Sequence, residues 1–184
     1  MKRIIITLAF AFVTLFASAQ INNQPAGIRM EIGEIRDNDD VCVAFSYKDE
    51  DGTLGYYLSV GYQFDILEIF SENTSSSFGH LDETCLVLGS TLEEALATVD
   101  SMLELYDKDP GTVIELPARE AVALERLGDE TTATCMVVKR FLQAKRLCFH
   151  FTRGTLTAQV DLPKSSLRSI RGMIEFDLRR QRRK

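Results

Sequence analysis

Two stretches of this chain carry an apolar repeat of about 3.6 residues, and each follows a series of segments whose apolar residues recur at every second position. Leu92, Leu96, Val99 and Leu103 form the first stripe, with Ala95 and Met102 beside them; Leu167, Ile170, Ile174 and Leu178 form the second. A helix with one apolar stripe must cover it against another layer, and a half-apolar strand must do the same. Strands in series with helices appended therefore predict an α+β fold, in which antiparallel sheet is covered on one face by amphipathic helices.

Local signals place the elements. Thr91 followed by Glu94 predicts a capping box, and Asp109-Pro110-Gly111 ends the first helix. After Pro163, Ser165 or Ser166 is suited to cap the last helix, which Gly172 weakens by about 1 kcal/mol relative to alanine. Strand-like alternation begins at Ile28, Met30 and Ile32 and turns at Asp37-Asn38-Asp39-Asp40. Val41, Val43 and Phe45 then share one face, with Cys42, Ala44 and Ser46 on the other. The turn residues 48–52 lead back into a strand over Leu54 to Tyr62. Ile66 to Phe70 and Cys85 to Leu88 are short strand candidates on either side of a polar surface loop, Ser71 to Ser77. Val113 to Leu116 is another strand candidate, and Pro117 with Ala118 to Leu127 and Gly128 predicts a further helix from propensity. Three more strands follow over Thr131 to Arg140, Lys145 to Arg153 and Thr155 to Leu162, the last two joined by a turn at Gly154.

Residues 28–110 and 111–178 thus form two strand-then-helix halves. Val41-Cys42-Val43 parallels Thr134-Cys135-Met136, a match that either an internal duplication or coincidence among common β and α patterns would produce.

The N-terminus supplies an address. Lys2 and Arg3 precede the apolar stretch Ile4 to Phe16, and Ala17-Ser18-Ala19 closes it with small residues, the pattern of a secretory signal peptide over residues 1–19. Residues 20–27 form a flexible lead-in. The stretch is short for a bilayer span, and the first cysteine after it is Cys42, so neither a transmembrane segment nor a lipid anchor is expected in the mature chain. Export implies a periplasmic or secreted protein. Removing Lys2 and Arg3 takes the net charge from −6 to −8. A basic tail, residues 179–184, holds five positive charges, leaving 14 basic against 27 acidic residues in 20–178. Such a body repels nucleic acid, and any contact with anionic surfaces falls to the tail.

In an oxidising compartment the even set Cys42, Cys85, Cys135 and Cys148 predicts disulfides. A hairpin turning near Phe141-Leu142 would bring Cys135 opposite Cys148 and leave Cys42 for Cys85. No CxxC pair and no histidine at zinc spacing occurs, so neither a thiol redox motif nor a metal site is expected. The acidic turns at 37–40 and 49–52 lack the oxygen ligands and glycine of a calcium loop. Phosphate-cradling glycine motifs and GxSxG are missing, and no cofactor is implied.

Two groupings remain as candidate sites. His80 lies five residues before Cys85, residue types from which a thiol hydrolase could be built, although the surroundings favour an inert thiol. Tyr47, Tyr56, Tyr57 and Tyr62 crowd one hairpin. Tyr56, Leu58 and Val60 claim its inner face, so Tyr57, with Tyr47, Ser75 of the polar loop and His80, could form a recognition surface. His150 alternates with Phe149 and Phe151 and shares a side with Cys148. The sequence points to an exported, non-catalytic binding or interaction protein of the bacterial cell envelope, its partner a protein or small ligand. An envelope hydrolase built on Cys85 and His80 is the alternative.

Overall fold

A computed structural model describes residues 25–37, 40–64, 79–122, 126–153 and 156–183. Eight strands run as β1 (Arg29–Asp37), β2 (Asp40–Lys48), β3 (Leu54–Phe64), β4 (Gly79–Gly89), β5 (Val113–Val122), β6 (Arg126–Val138), β7 (Arg146–Arg153) and β8 (Leu156–Pro163). Helix α1 (Leu92–Leu105) follows β4, and α2 (Lys164–Gln181) follows β8. Every strand pairs antiparallel with its neighbour in sequence, giving one meandering sheet in the order β1 to β8. The sheet curls until β8 approaches β2 and β3. The α+β expectation holds in its broad form. Residues 1–24, the strand expected at Ile66 to Phe70, the Ser71 to Ser77 loop and the turn at Gly154 lie outside the described residues. No helix among the described residues is long and apolar enough to cross a membrane.

Strand alternation divides the buried side chains between two cores. Cys42 and Ala44 of β2, Tyr56, Leu58 and Val60 of β3, Leu86 and Leu88 of β4, and Leu147 and Phe149 of β7 meet the stripes of both helices in the larger core. Leu92, Ala95, Val99 and Met102 come from α1, and Leu167, Ile170, Ile174 and Leu178 from α2. The opposite parity of the same strands supplies a smaller core of Phe45, Tyr47, Tyr57 and Cys85, joined by Ala121 and Leu127. This is why β2 is buried along almost its whole length and does not alternate with solvent.

Helix propensity fails at Ala118 to Leu127, where the described residues are the end of β5 and the start of β6. Ile114, Leu116 and Ala118 recur at every second residue and face the larger core, a period no helix can present to one layer. Ala121, of opposite parity to Ala118, faces the smaller core, and the register shift opposite it, three residues of β6 against two of β5, turns Leu127 to the same core. Pro117 fits because the β4–β5 ladder ends at Ala118, so no bond to β4 is required of a residue without an N–H.

At the start of α1, Thr91 Oγ1 accepts from Glu94 N at 3.1 Å. The Glu94 carboxylate reaches past Thr91 to accept from Ser90 N at 2.7 Å and Ser90 Oγ at 2.8 Å, and these bonds hold its carboxyl below the usual range. Beyond the end of the helix, the Tyr106 hydroxyl donates to the Leu162 carbonyl at 2.7 Å and pins α1 to β8. The capping expectation for α2 is corrected: Pro163 is the N-cap, with no side-chain cap bond, and Ser165 and Ser166 lie inside the first turn. The basic C-terminal run begins inside the helix, because α2 continues through Gln181 and Arg179 and Arg180 complement the dipole of its last turn. Arg171 binds Asp100 of α1 at 2.5 Å, and Arg182 binds Glu93 at 3.1 Å. Both pairs are partly exposed, so they orient the helices more than they stabilise them.

Candidate functional site: a groove between α2 and the sheet edge

Backbone register lays the floor of a groove. Met30, Ser46 and Tyr56 are successive cross-strand partners on β1, β2 and β3 and form one rung. Ser169, Gly172, Met173, Phe176, Asp177 and Arg180 of α2 overlook it, with Glu31 and Ile32 at the β1 edge. The space is about 600 Å³, within the range of small-molecule sites. From Ser169 to Arg180 the helix wall is about 16 Å long at its usual rise.

Two glycines shape this space by opposite means. Gly33 sits at the β1 bulge, where a Cβ would lie 2.1 Å from Met173 Sδ, so its bare backbone lets α2 approach the sheet edge. Gly172 has nothing within 4 Å of the position a Cβ would take, and its missing side chain leaves the groove open. Phe176, one turn further on, is 69% exposed. Met30, Ile32, Met173 and Phe176 offer apolar contact along this space, while Ser46, Glu31, Asp177 and Arg180 offer polar groups. Burial pushes the Tyr56 hydroxyl above its ordinary value, so it stays protonated at neutral pH.

Tyr47 and Tyr57 do come together, on the sheet face expected for Tyr57, but they are sealed in the smaller core at 4% and 6% exposure. Tyr57 stacks on Phe45 with centroids 5.5 Å apart, and the Arg29 guanidinium covers the Phe45 ring at 3.8 Å. Arg119, which the sequence reading passed over, ties the cluster together. Its Nη1 donates to both Asp49 oxygens at 2.9 Å and lies 3.4 Å from Tyr57 Oη, while Nε donates to the Gly128 carbonyl at 2.9 Å. Tyr57 packs over Gly55, where a Cβ would lie 2.6 Å from its hydroxyl oxygen. Ser75 lies outside the described residues. His80 pairs with Gln63 in β4, and its side chain also lies outside them. The strand rise puts its Cα about 16 Å from that of Cys85, so the two are not brought side by side.

The disulfide expectation is corrected: no two of Cys42, Cys85, Cys135 and Cys148 lie at bonding distance, and all four are buried. Parity is the reason. Cys135 pairs with Phe149 and faces the larger core, whereas Cys148 pairs with Met136 and points through the other face. Cys42 and Cys85 are likewise divided between the two cores. Cys148 does share a side with His150, with Sγ and Nε2 3.3 Å apart. Burial, a hydrogen bond to Asp161 and that carboxylate's charge push the Cys148 thiol up to about 12, so it is a neutral thiol and a poor nucleophile at physiological pH. Among the described residues no group of three or more His, Cys, Asp or Glu is placed to hold a metal ion.

Compared with known proteins, the chain matches no family model, no curated sequence and no solved structure. The groove was the main feature missed at the sequence level. Its trace is the pair Gly172 and Phe176 on the non-stripe side of an otherwise regular helix.

Proposed function

We propose that this chain is an exported, non-catalytic binding protein of the bacterial cell envelope, and that it holds its ligand in the groove between α2 and the β1 edge. The observation carrying this reading is the groove of about 600 Å³, lined by apolar side chains together with Glu31, Asp177 and Arg180. The N-terminal leader pattern supports the envelope address. The ligand is a small amphiphile, because the apolar side chains Met30, Ile32, Met173 and Phe176 line the space together with the charged Glu31, Asp177 and Arg180. Arg180 supplies a cationic group suited to an anionic end of the ligand.

The same reading treats residues 28–110 and 111–178 as halves of one duplicated unit, each of four strands and a helix. Cys42 on the second strand of the first half and Cys135 on the second strand of the other both face the larger core, which supports it.

The test is titration with N-phenyl-1-naphthylamine, an uncharged apolar fluorophore. Wild type is expected to enhance its emission saturably. Gly172→Leu projects a side chain into the groove from a Cβ position with nothing within 4 Å, and is expected to abolish the enhancement while raising helix stability by about 1 kcal/mol in urea unfolding. Enhancement unchanged in Gly172→Leu would rule the groove out.

A further inference from the structure

The β6–β7 connection carries two costs that the fold does not recover. Gln143 N donates to the Arg140 carbonyl at 3.1 Å, closing a four-residue turn with Phe141 and Leu142 at its centre. Leu142, the third residue, has φ of 60°, a left-handed conformation that turns normally assign to glycine or asparagine. Among the described residues it is the one non-glycine with positive φ. Phe141 and Leu142 are each 90% exposed. A branched side chain is therefore held in a disfavoured backbone conformation at the tip of a hairpin, where it buries nothing. Neither feature serves packing, and both project an apolar pair away from the sheet.

Charge identifies what the pair meets. Residues 139–146 read Lys-Arg-Phe-Leu-Gln-Ala-Lys-Arg, four basic residues and no acidic one, in a chain whose acidic residues outnumber its basic ones, 27 to 21. Arg140 is paired with Asp161 at 2.7 Å but keeps 60% of its side chain exposed. Lys145 Nζ donates to the Lys108 carbonyl at 2.5 Å, and Lys139 is exposed. A protein partner of ordinary composition would need a pocket for Phe141 and Leu142 and carboxylates around it. An anionic bilayer offers both, as an acyl boundary beneath a layer of phosphates. The acidic remainder of the chain is repelled by that surface, which orients the hairpin tip toward it.

We propose that the 139–146 hairpin tip docks on anionic lipid, with Phe141 and Leu142 entering the headgroup boundary and the flanking Lys and Arg side chains binding phosphate oxygens. This contact is independent of the α2 groove, and its readout does not use the groove probe.

The chain has no tryptophan, so Phe141→Trp places a single reporter at the tip. Its emission is expected to shift to the blue with vesicles containing phosphatidylglycerol, to be quenched by brominated acyl chains there, and to stay water-like with phosphatidylcholine alone. In vesicle sedimentation, Phe141→Ser with Leu142→Asn keeps a residue that tolerates the left-handed turn and is expected to weaken binding about tenfold or more, with a melting temperature no lower than that of wild type. Raising the salt concentration should release the wild-type protein. Emission that stays water-like with phosphatidylglycerol vesicles, or sedimentation unaltered in the double variant, would overturn the proposal.

Discussion

Replacing Phe149 with alanine is expected to lower the unfolding free energy by about 3–5 kcal/mol, and replacing Phe45 with alanine by a similar amount. Both rings are fully buried, at 0% exposure, yet they belong to different cores. Phe149 projects from β7 into the larger core, which both helix stripes share; truncating it leaves a cavity that its close-packed neighbours cannot fill without leaving their rotamers. Phe45 is held on the other side, stacked on Tyr57 and covered by Arg29. Because the clusters share no residue, the two losses should add to within about 0.5 kcal/mol in the double variant. Urea unfolding of the three variants measures this. A double variant no less stable than either single one would mean that the two faces form one core.

The second large effect concerns the thiols. Burial pushes Cys135 up to about 12, and Cys148 is raised as far by burial and the Asp161 carboxylate, so at pH 8 their thiolate fraction falls about a thousandfold below that of an exposed cysteine. Burial raises Cys42 further still. The native protein, never exposed to reductant, should therefore alkylate very slowly with iodoacetamide, and all four thiols should react once it is denatured without reductant. Intact mass spectrometry counts the adducts. Disulfides would appear as two or four thiols that fail to react in denaturant.

The same shifts fix the direction of a pH dependence. A thiol raised in the folded state favours folding fully below the ordinary thiol value near 9, and that contribution is lost as pH climbs toward the folded value. Urea midpoints should be level from neutral pH to about 9 and then fall. Cys135→Ser should fall less steeply over that interval.

Much of the fold could be read from residue spacing. The stripes at Leu92 and Leu167 gave both helices and their buried faces, and alternation gave the parity of β2 and β3 correctly, because those segments obey one period throughout. Two kinds of error arose where tertiary contact outweighed a local signal. At Ala118 to Leu127 the helix-forming residues were assessed singly, whereas a bulge and two cores decided the outcome. At the cysteines a register one residue from the assumed one was enough: Cys135 opposite Phe149 rather than Cys148 reverses which side chains meet. The groove was illegible for a different reason. It exists because Gly33 admits Met173 while Gly172 admits nothing, a relation between a strand edge and a helix well over a hundred residues apart. Tyr57 was assigned to the correct face, but the Arg119 and Asp49 contact that helps seal it spans 70 residues.

The functional reading rests on α2 having two sides with different tasks, one closing the larger core and the other bounding a site. Ile174 and Phe176 are two residues apart on that helix, the first fully buried and the second 69% exposed. The direct test measures urea stability and N-phenyl-1-naphthylamine affinity for each alanine variant. Ile174→Ala should lose about 2–5 kcal/mol of stability while its folded fraction still takes up the probe, and Phe176→Ala should keep its stability and lose about tenfold in affinity. If Phe176→Ala destabilises the protein as much as Ile174→Ala, or binds the probe as wild type does, the division of α2 into a structural and a binding face is wrong.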